Sequence, residues 1–483
     1  MKSTHFLYVS FVCAALMLVA CEKSPDLRIS SRDIIIDAFQ DEPVTIDISA
    51  GVEWTITVIH PDETWLSVSP LQGKGSATLI LEADENPDFT ERTAYIAISG
   101  NGVKTDTIMV IQLPDIDILA KITDEKFREY CLSEFDNDPK DGKISTREAR
   151  SVFEIKAGRM QIKSLAGIEY FTKLERLNCR DNNIENLDLS ENLALKILNC
   201  FNNSIKTLDL SNNVDLRYLD CSYNPIPHID VGGLEKLTDL FIHSADLTNI
   251  DVKNNTRLIW LAVSNNKISN IDVSNNKELQ GLECSENGLT DINVSGNSQL
   301  RTLFCGNNKL SRLNLENNPA LTQLYCNNNE LDELDLSKNA ALQSLNCSNN
   351  KFRDIILHCP NLTELYCSGN SISRLNLSNL ADLKQLHCDG NPLTDLDLRN
   401  NLKLEGFRCS NNKLLNEIDL SKNNKLTYID LTSNSTSLKV LVWQGFFCNP
   451  DYKKDKIAGI DKDGKSYNYS DWVSHDGRII ECR

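Results

Sequence analysis

The sequence lacks the features that mark several common function classes. Lys and Arg number 50 against 68 Asp and Glu, for a net charge of −18, and no basic cluster of the kind that binds nucleic-acid phosphates occurs. After residue 21 no apolar run approaches the roughly 18 residues needed to span a bilayer. The seven histidines are scattered, and there is no nucleophile elbow, phosphate-binding glycine loop or metal-ligand triad. The sequence therefore predicts a protein that is not an enzyme and has no nucleic-acid partner.

One long apolar run does occur, at the N-terminus. Lys2 precedes apolar residues 6–20, as in a secretory signal peptide. Residues 18–21, Leu-Val-Ala-Cys, resemble the lipobox of bacterial lipoproteins. That resemblance implies a signal peptide over residues 1–20, lipidation of Cys21 and a linker over residues 21–27. The implied location is the outer membrane, at the cell surface or the periplasmic face. An ordinary signal peptide with a chance cysteine is the alternative.

Residues 28–113 change to a period of two, with strand-like segments at 44–48, 54–58, 78–81 and 95–98. About seven such strands in this length predict an antiparallel, immunoglobulin-like β-sandwich. The segment contains Trp54, the run Trp65-Leu66-Ser67-Val68-Ser69-Pro70, Gly73, Gly75, Asn86 and Arg92. In these residues it resembles the BACON domain, a module often found at the N-terminus of larger secreted bacterial proteins.

The name of the BACON domain implies carbohydrate binding, for which Trp54 and Trp65 are the candidate stacking platforms. The alternative is that both tryptophans pack in or beside the core of a spacer that holds the next domain away from the membrane. The spacer interpretation is favoured, because no cluster of polar residues accompanies either tryptophan in the sequence.

Residues 114–173 predict a small helical cap. A helix should open at residues 123–125, with Phe127, Tyr130, Cys131 and Phe135 recurring on one face. The acidic loop that follows resembles an EF-hand, with one residue inserted before Asp141. The resemblance implies structural Ca²⁺ held by Asp136, Asp138, Asp141, Lys143, Ser145 and Glu148. A metal-free acidic turn is the alternative, because Ser145 and Glu148 also fit a capping box for a helix over residues 146–155.

Residues 174–436 repeat a frame of about 21 residues thirteen times: L-x-x-L-x-C-x-x-N-x-L-x-x-L-D-L-S-x-N-x-x. Positions are counted here from the leucine that opens each copy, the first of which is Leu174. A period this short predicts stacked units in a parallel-β solenoid rather than a globule. Each unit should carry a strand over positions 3–7, with positions 4 and 6 pointing inward. The Asn at position 9 should satisfy backbone groups of the turn and of the next unit.

Cysteine fills position 6 in ten units, where metal binding, disulfides and packing all compete as explanations. Side chains stacked about 4.8 Å apart are too far apart for disulfides, and no His stands at ligand spacing. Ile242, Val263 and Leu431 occupy the same position, so it selects apolar volume. The frame is similar to leucine-rich repeats of the cysteine-ladder internalin type. That resemblance implies a curved, right-handed solenoid, with a mainly β fold for the chain as a whole.

The concave face of such a solenoid is the expected ligand surface. Aromatic residues gather at its outward positions, chiefly position 5, and the proposed binding residues are Trp260, Glu283, Arg301, Phe304, Tyr325, Tyr366 and His387. The alternative is ordinary cross-strand stacking on an open sheet.

Residues 437–483 predict a C-terminal cap, in which pairing of Cys448 with Cys482 stays open. The chain is expected to be a non-catalytic envelope lipoprotein that recognises a protein partner. Capture of a carbohydrate, such as a mucin or dietary glycan, is one alternative, through the aromatic stripe, the BACON-like module or both. A passive envelope scaffold is the other.

Overall fold

A computed structural model describes residues 27–39, 43–61, 64–86, 90–137, 140–435 and 438–442, with the backbone of three further strands at 459–460, 466–467 and 480–482. The chain divides into two compact units. The first comprises residues 1–117 and 145–147, and the second comprises residues 118–144 and 148–483. The signal peptide and lipidated Cys21 proposed from the sequence lie outside the described residues.

Nine strands are described in the first unit: β1 Leu27–Ile29, β2 Asp33–Ile36, β3 Val44–Ala50, β4 Glu53–Ile59, β5 Leu66–Ser69, β6 Gln72–Lys74, β7 Ala77–Ala83, β8 Arg92–Gly100 and β9 Val103–Gln112. One sheet has the order β1-β3-β7-β5, and the other has the order β2-β9-β8-β4-β6. Every pairing is antiparallel except that of β2 with β9. The four strands predicted from the period of two are all present.

The two sheets enclose a shared apolar core, because alternate residues of each strand face inward. Ile46 of β3, Leu79 of β7 and Ile96 of β8 are at most 1% exposed. Trp54 and Trp65 belong to the same core, at 2% and 5% exposed. The sandwich predicted from the sequence is confirmed. Neither tryptophan presents a face on which a sugar could stack, as the spacer interpretation requires.

Helix α1 spans Glu125–Phe135 and begins where the sequence predicted. Asp124 caps it, because one carboxylate oxygen accepts the backbone N–H groups of Lys126 and Phe127 at 2.9 and 3.0 Å. Phe127 and Cys131 are buried on a single face of the helix.

Helix α2 spans only Thr146–Arg150, so the prediction of a helix over residues 146–155 is wrong in its second half. Residues Glu154–Lys156 form a strand instead. Ile155 and Ala157 are both buried while the residue between them is exposed, which is the period of a strand and not of a helix.

The repeats form one parallel sheet of fourteen strands. They are β10 Glu154–Lys156, β11 Arg176–Asn178, β12 Ile197–Asn199, β13 Tyr218–Asp220, β14 Asp239–Phe241, β15 Trp260–Ala262, β16 Gly281–Glu283, β17 Thr302–Phe304, β18 Gln323–Tyr325, β19 Ser344–Asn346, β20 Glu364–Tyr366, β21 Gln385–His387, β22 Gly406–Arg408 and β24 Tyr428–Asp430. Strand β23, Glu417–Asp419, lies outside this sheet. The thirteen predicted units each supply one strand, over positions 3–5 rather than 3–7. Strand β10 adds an earlier turn, in which a 3-10 helix covers Ile168–Tyr170.

Leucine at position 4 and cysteine at position 6 point into the solenoid. Leu303 and Cys305 are both fully buried, as are Ile242 and Val263 where they replace the cysteine. All ten ladder cysteines are free thiols. Burial raises the pKa of Cys179, Cys284 and Cys326 to about 12. The packing interpretation of the cysteine ladder is confirmed.

Two columns of asparagine hold successive turns together. At position 9, Asn308 donates to the carbonyls of Cys284 and Cys305 at 3.0 and 3.1 Å and accepts the N–H of Leu289 at 3.0 Å. This is the role predicted for that position. The Asn at position 19 of the frame forms a second column, whose role was not predicted: there Asn297 donates to the carbonyls of Val273 and Asn276 at 3.0 and 2.8 Å.

At the C-terminal end, β23 pairs in parallel with β25, Lys439–Val442, which pairs in turn with β28, Ile480–Cys482. Strands β26, Gly459–Ile460, and β27, Ser466–Tyr467, pair antiparallel. Cys448 and the side chain of Cys482 lie outside the described residues, so their pairing stays a prediction.

Candidate ligand-binding face

Positions 3, 5 and 7 of each unit alternate with the buried positions 4 and 6, so their side chains point away from the core. The side chains at these three positions on β12 to β21 are called the strand face below. Because the strands pair in register, equivalent positions form rows about 4.8 Å apart from turn to turn. All of the predicted binding residues except Arg301 belong to the strand face.

Trp260 lies flat against the backbone of the next strand. A Cβ built on Gly281, its register partner on β16, would stand 2.4 Å from the indole. The indole N–H donates to Glu283 Oε1 at 3.2 Å, and His243 Nε2 lies 3.9 Å from the other oxygen of that carboxylate. The indole is thus held in one orientation, with its second face directed away from the sheet.

Phe304 and Tyr325 are register partners on β17 and β18, and their rings are stacked. The ring centroids are 4.5 Å apart and the planes differ by 15°. The Tyr325 hydroxyl lies 3.4 Å from Ser344 Oγ, which donates to Glu364 Oε2 at 2.8 Å. The stack is therefore continued across two further strands by polar contacts.

Tyr366 and His387 form a third contact, on β20 and β21, with centroids 4.7 Å apart and planes at 90°. Burial lowers the pKa of His387, and the nearby Arg408 lowers it further. The imidazole is therefore neutral at physiological pH. Its edge-on contact with the tyrosine is an aromatic contact rather than a cation–π one.

Arg301 occupies position 2, one residue before β17, and its side chain is exposed. It lies at the border of the strand face rather than within it. The seven predicted residues thus form three separate contacts, around Trp260, Phe304 and Tyr366, with Arg301 at the border.

A further aromatic group, absent from the predicted set, lies on the first turns. Phe201 and Tyr223 have centroids 5.1 Å apart, and those of Tyr218 and Phe241 are 5.5 Å apart. Tyr223 stands at position 8, where every unit has left-handed backbone with φ of 51–64°. Most units place Asn, Asp or Gly there, because these residues tolerate that conformation. A tyrosine at position 8, where Asn, Asp or Gly is usual, is the signal in the sequence that could have indicated this aromatic group.

The predicted Ca²⁺ loop is organised by its own carboxylates. Asp136 accepts the N–H groups of Asp141 and Gly142 at 3.1 and 3.0 Å, and Glu148 accepts the N–H of Asn137 at 2.9 Å. Lys143 N–H donates to Asp141 at 3.0 Å.

For two of the six predicted Ca²⁺ ligands, the structure gives no position relative to the other four. Asp138 lies outside the described residues, and Ser145 belongs to the first unit. Among the described residues no group of three or more His, Cys, Asp or Glu is arranged to hold a metal ion. Ca²⁺ binding stays a prediction, which a calorimetric titration with Ca²⁺ that produced no heat would contradict.

Comparison with known proteins identifies both modules. Residues 53–113 match the BACON family model ("Putative binding domain, N-terminal"), and residues 360–401 match a model of two leucine-rich repeats. No curated protein sequence matches the chain significantly. The N-terminal module is therefore a BACON domain and the solenoid is built of leucine-rich repeats, which confirms both resemblances.

Solved structures share the solenoid. The functional domain of InlJ from Listeria monocytogenes, which includes a cysteine ladder, is 29% identical, with a TM-score of 0.64 over 68% of this chain and 76% of its own. The internalin InlF from the same bacterium is 23% identical, with a TM-score of 0.53 over 60% of this chain and 96% of its own. The plant peptide hormone receptor RGFR1, in complex with RGF2, is 22% identical, with a TM-score of 0.54 over 66% of this chain and 54% of its own.

Within the part of the chain that the structure describes, no helix has both the length and the apolar character to cross a membrane.

Proposed function

We propose that this chain is a non-catalytic protein of the cell envelope that recognises a protein partner through its strand face. The observation that carries the proposal is the contrast between the two sides of each strand. The inward side repeats leucine and cysteine from turn to turn, whereas the outward side varies and places stacked aromatic rings at Phe304 and Tyr325. Packing requires the first pattern but not the second.

Aromatic side chains are suited to this role. They bury a large apolar area while losing little side-chain freedom, and they dominate the binding energy of protein interfaces. The Trp260, Phe304 and Tyr366 contacts hold such rings in place before any ligand arrives. The plant receptor of this fold is in complex with RGF2, which gives an example of the same architecture bound to a partner.

A glycan ligand is the second candidate, and Trp260 favours it. Its indole lies flat on the backbone at Gly281 and is half-buried, so the opposite side of the ring is directed away from that backbone. A flat aromatic surface is also what a sugar ring stacks on. The buried Trp54 and Trp65 take no part in this candidate function.

The test exposes the full chain to arrays of purified envelope and host proteins and to arrays of polysaccharides, including mucin. Saturable binding to a protein is the expected result. Saturable binding confined to glycans would contradict the protein-binding proposal and support the second candidate, glycan binding. Binding to neither class would contradict both and support a passive scaffold.

We also propose that the protein is an outer-membrane lipoprotein anchored through Cys21. The support is the run Leu-Val-Ala-Cys at residues 18–21, behind the apolar segment. Acyl chains on this cysteine would supply membrane affinity without a membrane-spanning helix. A Cys21→Ala variant should leave the membrane fraction. If it still sedimented with membranes, the anchor would lie elsewhere.

A further inference from the structure

The charge of the strand face is one-sided. Its thirty positions, three on each of ten strands, contain no Lys or Arg. They contain five carboxylates, Asp220, Asp239, Glu283, Glu364 and Asp389. They also contain seven aromatic residues, Phe201, Tyr218, Phe241, Trp260, Phe304, Tyr325 and Tyr366. Arginine occupies outward positions only beyond its two ends, at Arg176 and Arg180 on one side and Arg408 on the other.

Some carboxylates elsewhere on the solenoid have cationic partners. Several form ion pairs with a lysine one turn further along, outside the strand face. Examples are Glu330 with Lys351 at 2.9 Å and Asp382 with Lys403 at 2.6 Å. The repeat therefore readily supplies a compensating cation to an exposed acid from the neighbouring turn.

On the strand face the acids accept from neutral donors instead. Asp220 accepts the N–H of Ser222 at 3.1 Å, and Asp239 accepts the hydroxyl of Thr238 at 2.7 Å. Glu283 accepts from the Trp260 indole and Glu364 from the Ser344 hydroxyl. Among the described residues only Asp389 lies within ion-pair distance of an arginine, with Arg408 Nε at 3.5 Å. The imidazole of His243 lies 3.9 Å from Glu283. Four of the five carboxylates thus have no Lys or Arg partner.

Burial adds to the cost of this arrangement. Burial raises the pKa of Asp220, and the hydrogen bonds from Ser222 and the charges of His243 and Arg180 offset this rise only in part. A ligand that brought a positive charge to this carboxylate would restore the stabilisation of its charged form that burial removes. The aromatic rings beside the acids attract cations through their negative faces as well.

One border of the strand face is basic. Position 2 carries Lys196, Arg217, Arg301 and Lys384, of which Lys196 is paired with Glu175 at 2.5 Å. A cationic ligand is therefore repelled at this border and attracted over positions 3, 5 and 7. The part of the strand face that attracts a cationic ligand is therefore a strip about 43 Å long, because ten strands have nine spacings of about 4.8 Å between them.

We infer that the strand face binds a Lys- or Arg-bearing segment of its protein partner, each cation lying between a carboxylate and an aromatic ring. This inference rests on the proposed function and adds the chemical class of the partner. The Glu283–Trp260 and Glu364–Tyr325 regions are the two places where an acid and a ring are already joined by hydrogen bonds.

The experiment titrates the full chain with a labelled 15-residue peptide of alternating lysine and alanine, in 0.15 M salt, and follows fluorescence anisotropy. The test variant is Glu283→Gln/Glu364→Gln, in which both side chains still accept their native hydrogen bonds. The control is Glu235→Gln/Glu316→Gln, two exposed glutamates outside the strand face. Both doubles change the net charge by the same amount.

The expected result is at least fivefold weaker binding in the test variant and less than twofold in the control. Equal weakening in both doubles would mean that only net charge matters and would overturn the inference. Equal affinity for a glutamate–alanine peptide, or no binding of the lysine peptide, would overturn it as well. If the protein arrays still gave a partner that the strand face binds, the proposed function would stand without the inference.

Discussion

The indole of Trp260 and the backbone of Gly281 occupy adjoining strands in contact so close that no side chain fits between them. An added Cβ would meet three atoms of the ring at 2.4–2.6 Å. This contact, with the hydrogen bond to Glu283, fixes the orientation of the Trp260 indole on the strand face.

Replacing Gly281 with alanine should therefore displace the indole. We expect a lower free energy of unfolding, by about 1–3 kcal/mol as in other overpacked sites, and loss of the Trp260–Glu283 hydrogen bond. Denaturant unfolding measures the first effect. The matched control is Gly233→Ala, where an added Cβ meets nothing within 4 Å. Equal destabilisation in both variants would show that the indole contact is not responsible.

The asparagine at position 9 should not tolerate replacement by aspartate. Asn329 donates to the carbonyls of Cys305 and Cys326 at 3.0 and 3.1 Å, and a carboxylate cannot donate. Asn329→Asp would leave these carbonyls without a donor and place a buried charge beside them. The free energy of unfolding should fall by about 3 kcal/mol. The same change at Asn317, which is exposed, is the control. A similar unfolding midpoint for the two variants would contradict the role of the ladder.

The cysteine ladder makes stability depend on pH in the alkaline range. The folded pKa of Cys284 and Cys326 is raised to about 12 by burial, whereas an unfolded thiol ionises near 8.5. Below the pKa of the unfolded thiol, the buried thiols contribute fully to the free energy of unfolding. This contribution falls as pH rises towards 12, because over that range only the unfolded chain releases the thiol protons. Between pH 8 and pH 10.5 the loss should be roughly 2.5 kcal/mol per thiol.

The control for the alkaline effect is Cys284→Val/Cys326→Val, since Val263 already fills the same position in another turn. The double variant should lose less stability between the two pH values than the native chain. Identical pH profiles would contradict the burial of these thiols.

The repeat period made most of the solenoid predictable from sequence. It located thirteen strands, the inward cysteines and the asparagines of position 9, because a fixed period repeats one local environment. Strand β10 was missed, since Ile155 and Ala157 retain only the alternation of the frame while the residues around them depart from it. The left-handed backbone at position 8 was missed as well. Its tolerated residues, Asn, Asp and Gly, are common in every kind of turn.

The binding residues were less predictable than the fold. Position 5 alone pointed to Phe304, Tyr325, Tyr366 and His387, because a row that stops repeating is visible in the sequence. The flat orientation of Trp260 depends on a glycine 21 residues away, and the Phe201–Tyr223 contact joins positions 7 and 8 of neighbouring units. Such contacts depend on side-chain conformations that the repeat does not specify.

The central claim, that the strand face binds the protein partner, is tested most directly by Phe304→Ala/Tyr325→Ala. The measurement is the affinity of the full chain for a protein that the arrays identify. The control, Leu193→Ala/Leu402→Ala, removes two exposed side chains outside the strand face. The account predicts at least about 30-fold weaker binding in the test variant, corresponding to roughly 2 kcal/mol for an aromatic hot spot, and little change in the control. Unchanged affinity in a correctly folded test variant would contradict it.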